Sequence, residues 1–97
     1  MIITGQASAT TTATALCTVP GGACLITITS DPGSADTAYV IGLSPSGGSQ
    51  ASSSAGLPLA AGGSVTTATY GTSKGMSLQV ACATGTATVG YLISTYN

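Results

Sequence analysis

Apolar residues recur at every second position along much of this chain. In 23–30, Cys24, Ile26 and Ile28 alternate with Leu25, Thr27 and Thr29. In 76–83, Met76, Leu78, Val80 and Cys82 alternate with Ser77, Gln79, Ala81 and Ala83. In 86–96, Ala87, Val89, Tyr91 and Ile93 alternate with Thr88, Gly90, Leu92 and Ser94. A period of two sends one set of side chains to a buried face and the other outward, which is the signature of a β-strand. The residue types agree, because branched and aromatic side chains pack well on a pleated surface. No window shows the 3.6-residue period of a helix, and Ala51–Ala55 is too short and serine-rich to form one.

Further strands are expected at 12–19, 37–43 and 63–70, with a weaker one near 50–59. Turn chemistry separates them at Pro20-Gly21-Gly22, Asp31-Pro32-Gly33-Ser34, Ser44-Pro45-Ser46-Gly47-Gly48, Ala60-Ala61-Gly62-Gly63, Gly71 to Gly75, and Thr84-Gly85. Leu57-Pro58-Leu59 reads as an edge segment and Thr84-Gly85 as a hairpin turn. Strands of this length and spacing predict an all-β chain: an antiparallel β-sandwich or small β-barrel, jelly-roll or immunoglobulin-like, with about seven to eight short strands. Residues 4–12 are small and polar, with no large apolar group. We therefore expect residues 1–11 to form an N-terminal arm and 12–97 a single sandwich domain. The arm and the Ser/Gly-rich stretch 44–56 could either fray or order across a neighbouring subunit.

Charge is almost absent. Lys74 is the only basic residue and Asp31 and Asp36 are the only acidic ones, so charged residues make up 3% of the 97, against about 25% in ordinary soluble domains. Mean hydropathy is nevertheless positive, at +0.50, which argues against a disordered chain. A surface with so little charge is weakly protected against association. Either much of it is covered by partners, including further copies of the chain, which is the favoured expectation, or the Ser and Thr hydroxyls solvate it. One lysine does not make a phosphate-binding surface, which argues against nucleic acid as a direct partner. No apolar run approaches the roughly 20 residues of a membrane span. Met1-Ile2-Ile3-Thr4-Gly5 lacks the basic and apolar regions of a signal peptide, so synthesis in a cytoplasm is expected.

The residues that usually carry chemistry are scarce. There is no His, hence no ordinary general base and no usual partner for a Ser or Cys nucleophile. Asp31 and Asp36 fall in one turn region, where a carboxylate more commonly accepts backbone N–H bonds than holds a cation. Cys17, Cys24 and Cys82 lack zinc-ligand spacing. Their odd number speaks against a disulfide framework, and they read as small buried apolar groups, although a hairpin could set Cys17 opposite Cys24. Lys74 is followed by Gly75 and matches no phosphate loop. Gly42-Leu43-Ser44-Pro45-Ser46 is not a nucleophile elbow. Thr10, Thr11, Thr12, Thr14 and Thr18 lack the regular spacing of an ice-binding face. We expect no enzyme, no cofactor and no metal.

One longer pattern runs Thr37-Ala38-Tyr39-Val40-Ile41-Gly42, then a Ser/Gly loop, then Gly56-Leu57-Pro58-Leu59-Ala60-Ala61-Gly62-Gly63-Ser64-Val65. It closes with Leu78-Gln79-Val80-Ala81-Cys82-Ala83-Thr84-Gly85-Thr86-Ala87-Thr88-Val89. Over residues 15–93 this resembles small β-sandwich virion proteins of tailed bacteriophages, notably capsid decoration (head-stabilising, or cement) proteins and related minor structural modules. The resemblance implies a protein bound in many copies to the outside of a phage head, bridging major capsid subunits, often as a trimer. A tail, fibre or head-tail component and a small carbohydrate-binding module are the rival expectations. The expected contact residues are Ile2, Ile3, Thr4, Gln6, Thr10 and Thr12 in the arm, with Tyr70 and Tyr96 as interface aromatics.

Overall fold

A computed structural model describes residues 1–43, 56–69 and 76–96 of the chain. It contains eight strands: β1 (Ile2–Ala9), β2 (Thr14–Thr18), β3 (Cys24–Ser30), β4 (Ala38–Leu43), β5 (Leu57–Leu59), β6 (Ser64–Thr69), β7 (Ser77–Cys82) and β8 (Ala87–Thr95). No helix occurs among the described residues. The expected strands at 12–19, 23–30, 37–43, 63–70, 76–83 and 86–96 are all present, and among the described residues each limit falls within two residues of the expected one. Of the weak strand near 50–59, Leu57–Leu59 is β5 and the rest lies outside the described residues. So do Tyr70, the expected turns at 44–48 and 71–75, and most of the serine-rich stretch.

The strands form two antiparallel four-stranded sheets, ordered β1-β8-β3-β6 and β2-β7-β4-β5. β1 pairs with β8, β2 with β7, β3 with β6 and β4 with β5; β8 then adds to β3 and β7 to β4. The first four pairings describe one long antiparallel ribbon bent back at β4–β5, and the last two roll it into a sandwich. This is the winding of an eight-stranded jelly roll. Every pair of consecutive strands except β4 and β5 therefore lies in opposite sheets.

That topology corrects three expectations. Residues 2–9 are not an arm: Ile2 to Ala9 pair residue by residue with Ser94 to Ala87. Their inward side chains are Ile3, Gly5, Ala7 and Ala9, so the period of two is there but is written in small residues. Gly5 is needed, because a Cβ at this position would run into the ring of Tyr91, its partner on β8. Thr84-Gly85 is not a hairpin turn, since β7 and β8 lie in opposite sheets. No hairpin sets Cys17 against Cys24 either, because β2 and β3 are also in opposite sheets, and all three thiols are free.

The core lies between the sheets. Ile26, Ile28, Val89 and Ile93 of one sheet meet Leu16, Val40, Leu59, Leu78 and Val80 of the other, with Val19, Cys24, Cys82 and the small Ala9, Ala38 and Ala87 filling between them. No aromatic ring is fully buried among the described residues; the largest fully buried side chains are Ile26, Ile93, Val19, Val80 and Val89. Ser30 is also completely buried and its hydroxyl has no partner, which costs free energy in a dry interior.

The turns are held by the two carboxylates. Asp31 Oδ1 accepts the Gly33 N–H at 2.8 Å, and Asp36 Oδ2 accepts the Thr86 N–H at 3.1 Å, tying the β3–β4 connection to the β7–β8 turn. This is the turn-capping role expected of them. Gly85 has φ +69°, and a Cβ there would overlap the Asp36 carboxylate.

Two stability measurements follow from this packing. Ile26→Ala removes a fully buried side chain and should cost about 2–5 kcal/mol in chemical denaturation, with Ile26→Val losing only about 0.5–1.5 kcal/mol. Gly85→Ala should cost about 1–3 kcal/mol through its left-handed backbone; a midpoint unchanged from the parent would refute the Asp36–turn arrangement.

Candidate functional site

The exposed surface with the clearest organisation is the outer face of the β1-β8-β3-β6 sheet. Register places its side chains in rows across the four strands. Ile2, Ser94, Leu25 and Ala68 form one row; Thr4, Leu92, Thr27 and Thr66 the next; Gln6, Gly90, Thr29 and Ser64 the third. None of these twelve residues is charged. Ile2 is 68% exposed, Leu92 40% and Leu25 38%, so three large aliphatics stand in solvent among hydroxyls. Thr27 and Thr66 share a hydrogen bond between their hydroxyls at 3.1 Å.

Gly90 carries no side chain between Gln6 and Thr29. It leaves a shallow depression of about 400 Å³ lined by Thr4, Thr27, Thr29, Gly90, Tyr91 and Leu92. A neighbouring hollow extends past Gln6 to Asp31 and Pro32. Both are open to solvent and broad, a shape suited to a protruding side chain or loop of a partner.

The other sheet differs. Of its outward residues, Ala81 is buried and Tyr39, Ile41 and Gln79 are half-buried. Gln79 Oε1 is withdrawn from solvent without a partner. The four sheet edges differ too. β5 is three residues long and contains Pro58, and β2 carries a bulge between Ala15 and Cys17. These are devices that discourage a further strand from adding. β1 and β6 have neither proline, charge nor a register shift. β1 is nonetheless packed against β2 and β7, where the Thr10 carbonyl accepts the Cys82 N–H at 2.7 Å.

The structure separates the contact residues expected from the sequence. Ile2, Thr4 and Gln6 are on the open face, while Ile3 points inward and packs on the core. Thr10 and Thr12 are occupied with each other, the Thr12 N–H donating to Thr10 Oγ1 at 3.2 Å and the Thr10 hydroxyl to the Thr12 carbonyl. Tyr96 is 66% exposed at the end of β8, and Tyr70 lies outside the described residues. Leu25 and Leu92 are exposed surface groups that were not among the expected contact residues. The available signal was their phase: each is a large aliphatic on the outward beat of an alternating strand.

Among the described residues no three His, Cys, Asp or Glu side chains come together in a way that could hold a metal ion. The Cys82 thiol lies against the Ala9 carbonyl at 3.7 Å. Burial raises the pKa of Cys82, and the nearby Asp36 charge raises it further; burial alone raises that of Cys17. No family model and no curated protein matches this chain.

The pH dependence of stability has a defined sign. The folded state holds the Cys17 and Cys82 protons more tightly than the unfolded chain does. Their contribution is therefore complete below the ordinary thiol pKa of about 8.5 and is lost as pH rises beyond it. With no His, no side chain has an ordinary pKa between about 5 and 8. The melting temperature should be flat across that interval and fall on the alkaline side, and in Cys82→Ala the alkaline fall should be shallower; an equally steep fall would rule out Cys82 as a source.

Proposed function

We propose that this chain is a non-enzymatic structural protein of a phage particle, a capsid decoration (cement) protein. It docks the outer face of its β1-β8-β3-β6 sheet on the major capsid protein and acts in many copies to brace neighbouring capsomers. The observation that carries the reading is the uncharged row structure of that face, with Ile2, Leu25 and Leu92 exposed among threonines. Exposed aliphatics gathered on one face suit a partner surface. A face without charges also docks without stripping water from ions, a cost that can exceed the attraction regained. The hydroxyls supply hydrogen bonds that water or a partner can satisfy equally. The resemblance of residues 15–93 to small virion sandwiches points the same way.

Copy number tests the proposal. Quantitative mass spectrometry of purified particles should give a ratio to the major capsid protein near one, and electron microscopy should place the chain on the outer shell. A few copies per particle would move it to the tail or portal, and absence from particles would end the reading. The face is tested separately by Leu92→Glu. This exposed position should change folding stability by no more than about 0.5 kcal/mol, while occupancy on heads lacking the protein should fall at least about tenfold, the equivalent of about 1.4 kcal/mol. Undiminished binding would place the contact elsewhere.

A further inference from the structure

We infer that β6 is the site of self-association, pairing edge to edge with β6 of a second copy about a two-fold axis through Thr66. The inference concerns how copies join and does not depend on what the assembled protein binds.

Three observations lead there. The first is the state of the edge. Thr66 and Ala68 point outward and Thr67 inward, yet all three are exposed, so solvent reaches both sides of the strand. The second is the contrast with the other edges: β5 is interrupted by Pro58, β2 by its bulge, and β1 is packed against β2. β6 alone among them combines an unbroken register, no proline, no charge and no covering strand among the described residues. An edge of that kind offers a row of unpaired N–H and C=O groups to another strand. The third is the hydroxyl pair Thr27–Thr66, which ends a row of side chains at this open edge.

Geometry then selects the register. A two-fold axis normal to the sheet keeps outward side chains outward, so residues directly opposite must belong to the same face. With the axis at Thr66, the partner's Thr66 faces Thr66, and Ser64 faces the partner's Ala68. Val65 faces the partner's Thr67. All of these are exposed or half-buried. Moving the axis to Thr67 would draw in Thr69, which is only 8% exposed and turned into the core. The Thr66 axis joins the two outer faces into one eight-stranded sheet with a threonine row running through the junction. A second copy fits better than a charged partner, because the edge offers no ion to pair with one, and a neutral strand meets its own copy without repulsion. The product is a dimer, in place of the trimer expected from the resemblance. Its small contact implies affinity in the micromolar-to-millimolar range.

Charge swapping at the axis tests this with the full chain. Sedimentation of the parent protein over a concentration series should show a monomer–dimer equilibrium. Thr66→Lys and Thr66→Glu each place like charges face to face and should weaken dimerisation at least about tenfold, with unchanged melting temperatures showing that both fold. An equimolar mixture of the two should restore the dimer, now as a heterodimer. Thr66→Cys should form a disulfide-linked dimer under oxidising conditions, since directly opposed strand residues lie within disulfide reach, and Ser8→Cys on the opposite edge should not. A parent protein that stays monomeric, a trimer indifferent to both charges, or a mixture that fails to restore the dimer would overturn the inference.

Discussion

Strand β8 is the member on which the rest of the sandwich depends. It is flanked by β1 and β3 along nearly its whole length, and its inward Ala87, Val89 and Ile93 are all buried. It binds the two ends of the chain into one sheet, since Ile2 lies opposite Ser94, and the Thr95 N–H donates to the Met1 carbonyl at 2.9 Å. Pairings this distant in sequence form only after long loops close, so they contribute little until most of the ribbon is in place. The fold is accordingly cooperative: removing β8 would leave β1 without a neighbour in its sheet and expose the middle of the core.

That dependence explains the composition. The inward positions of β1 and β8 face each other closely, and Gly5 gives way to Tyr91 where a larger residue would collide. The core is dominated by Ile and Val, with three leucines and the small Ala and Cys between them; the restricted rotamers of the β-branched residues lose little freedom on burial and suit a thin sandwich. With bulky aromatics absent from the fully buried set, each isoleucine carries a larger share of the stability. The two carboxylates are used to hold turns at one end, which keeps charge out of the three side-chain rows of the β1-β8-β3-β6 face and leaves Asp31 at its border.

The face and the edge are two consequences of one economy. A surface that relies on threonine and serine for solvation remains compatible with water while costing little to dehydrate. Such a surface can be presented by a free protein and then covered. The sheet with the open face is also the sheet with the open β6 edge, so self-association there would enlarge the uncharged face without rearranging it.

The amino-acid sequence by itself determined the strands and most of their limits, because the period of two is a local property of neighbouring residues and was strong wherever Ile, Val and Leu carried it. It also located the turns that require Gly22, Gly62 and Gly85, each at positive φ, and the edge character of Leu57-Pro58-Leu59. It concealed β1, whose inward Gly5, Ala7 and Ala9 are too small to signal burial. Which strands pair was decided only by the tertiary structure. Thr84-Gly85 has the chemistry of a hairpin, yet its strands belong to opposite sheets, since a turn residue constrains the backbone for a few positions and says nothing of the partner its strand will find. The exposed aliphatic face emerged at the same level: Ile2, Leu25 and Leu92 are far apart in sequence and become neighbours only when register aligns β1, β8 and β3, because adjacency across a sheet is a property of pairing and not of the chain.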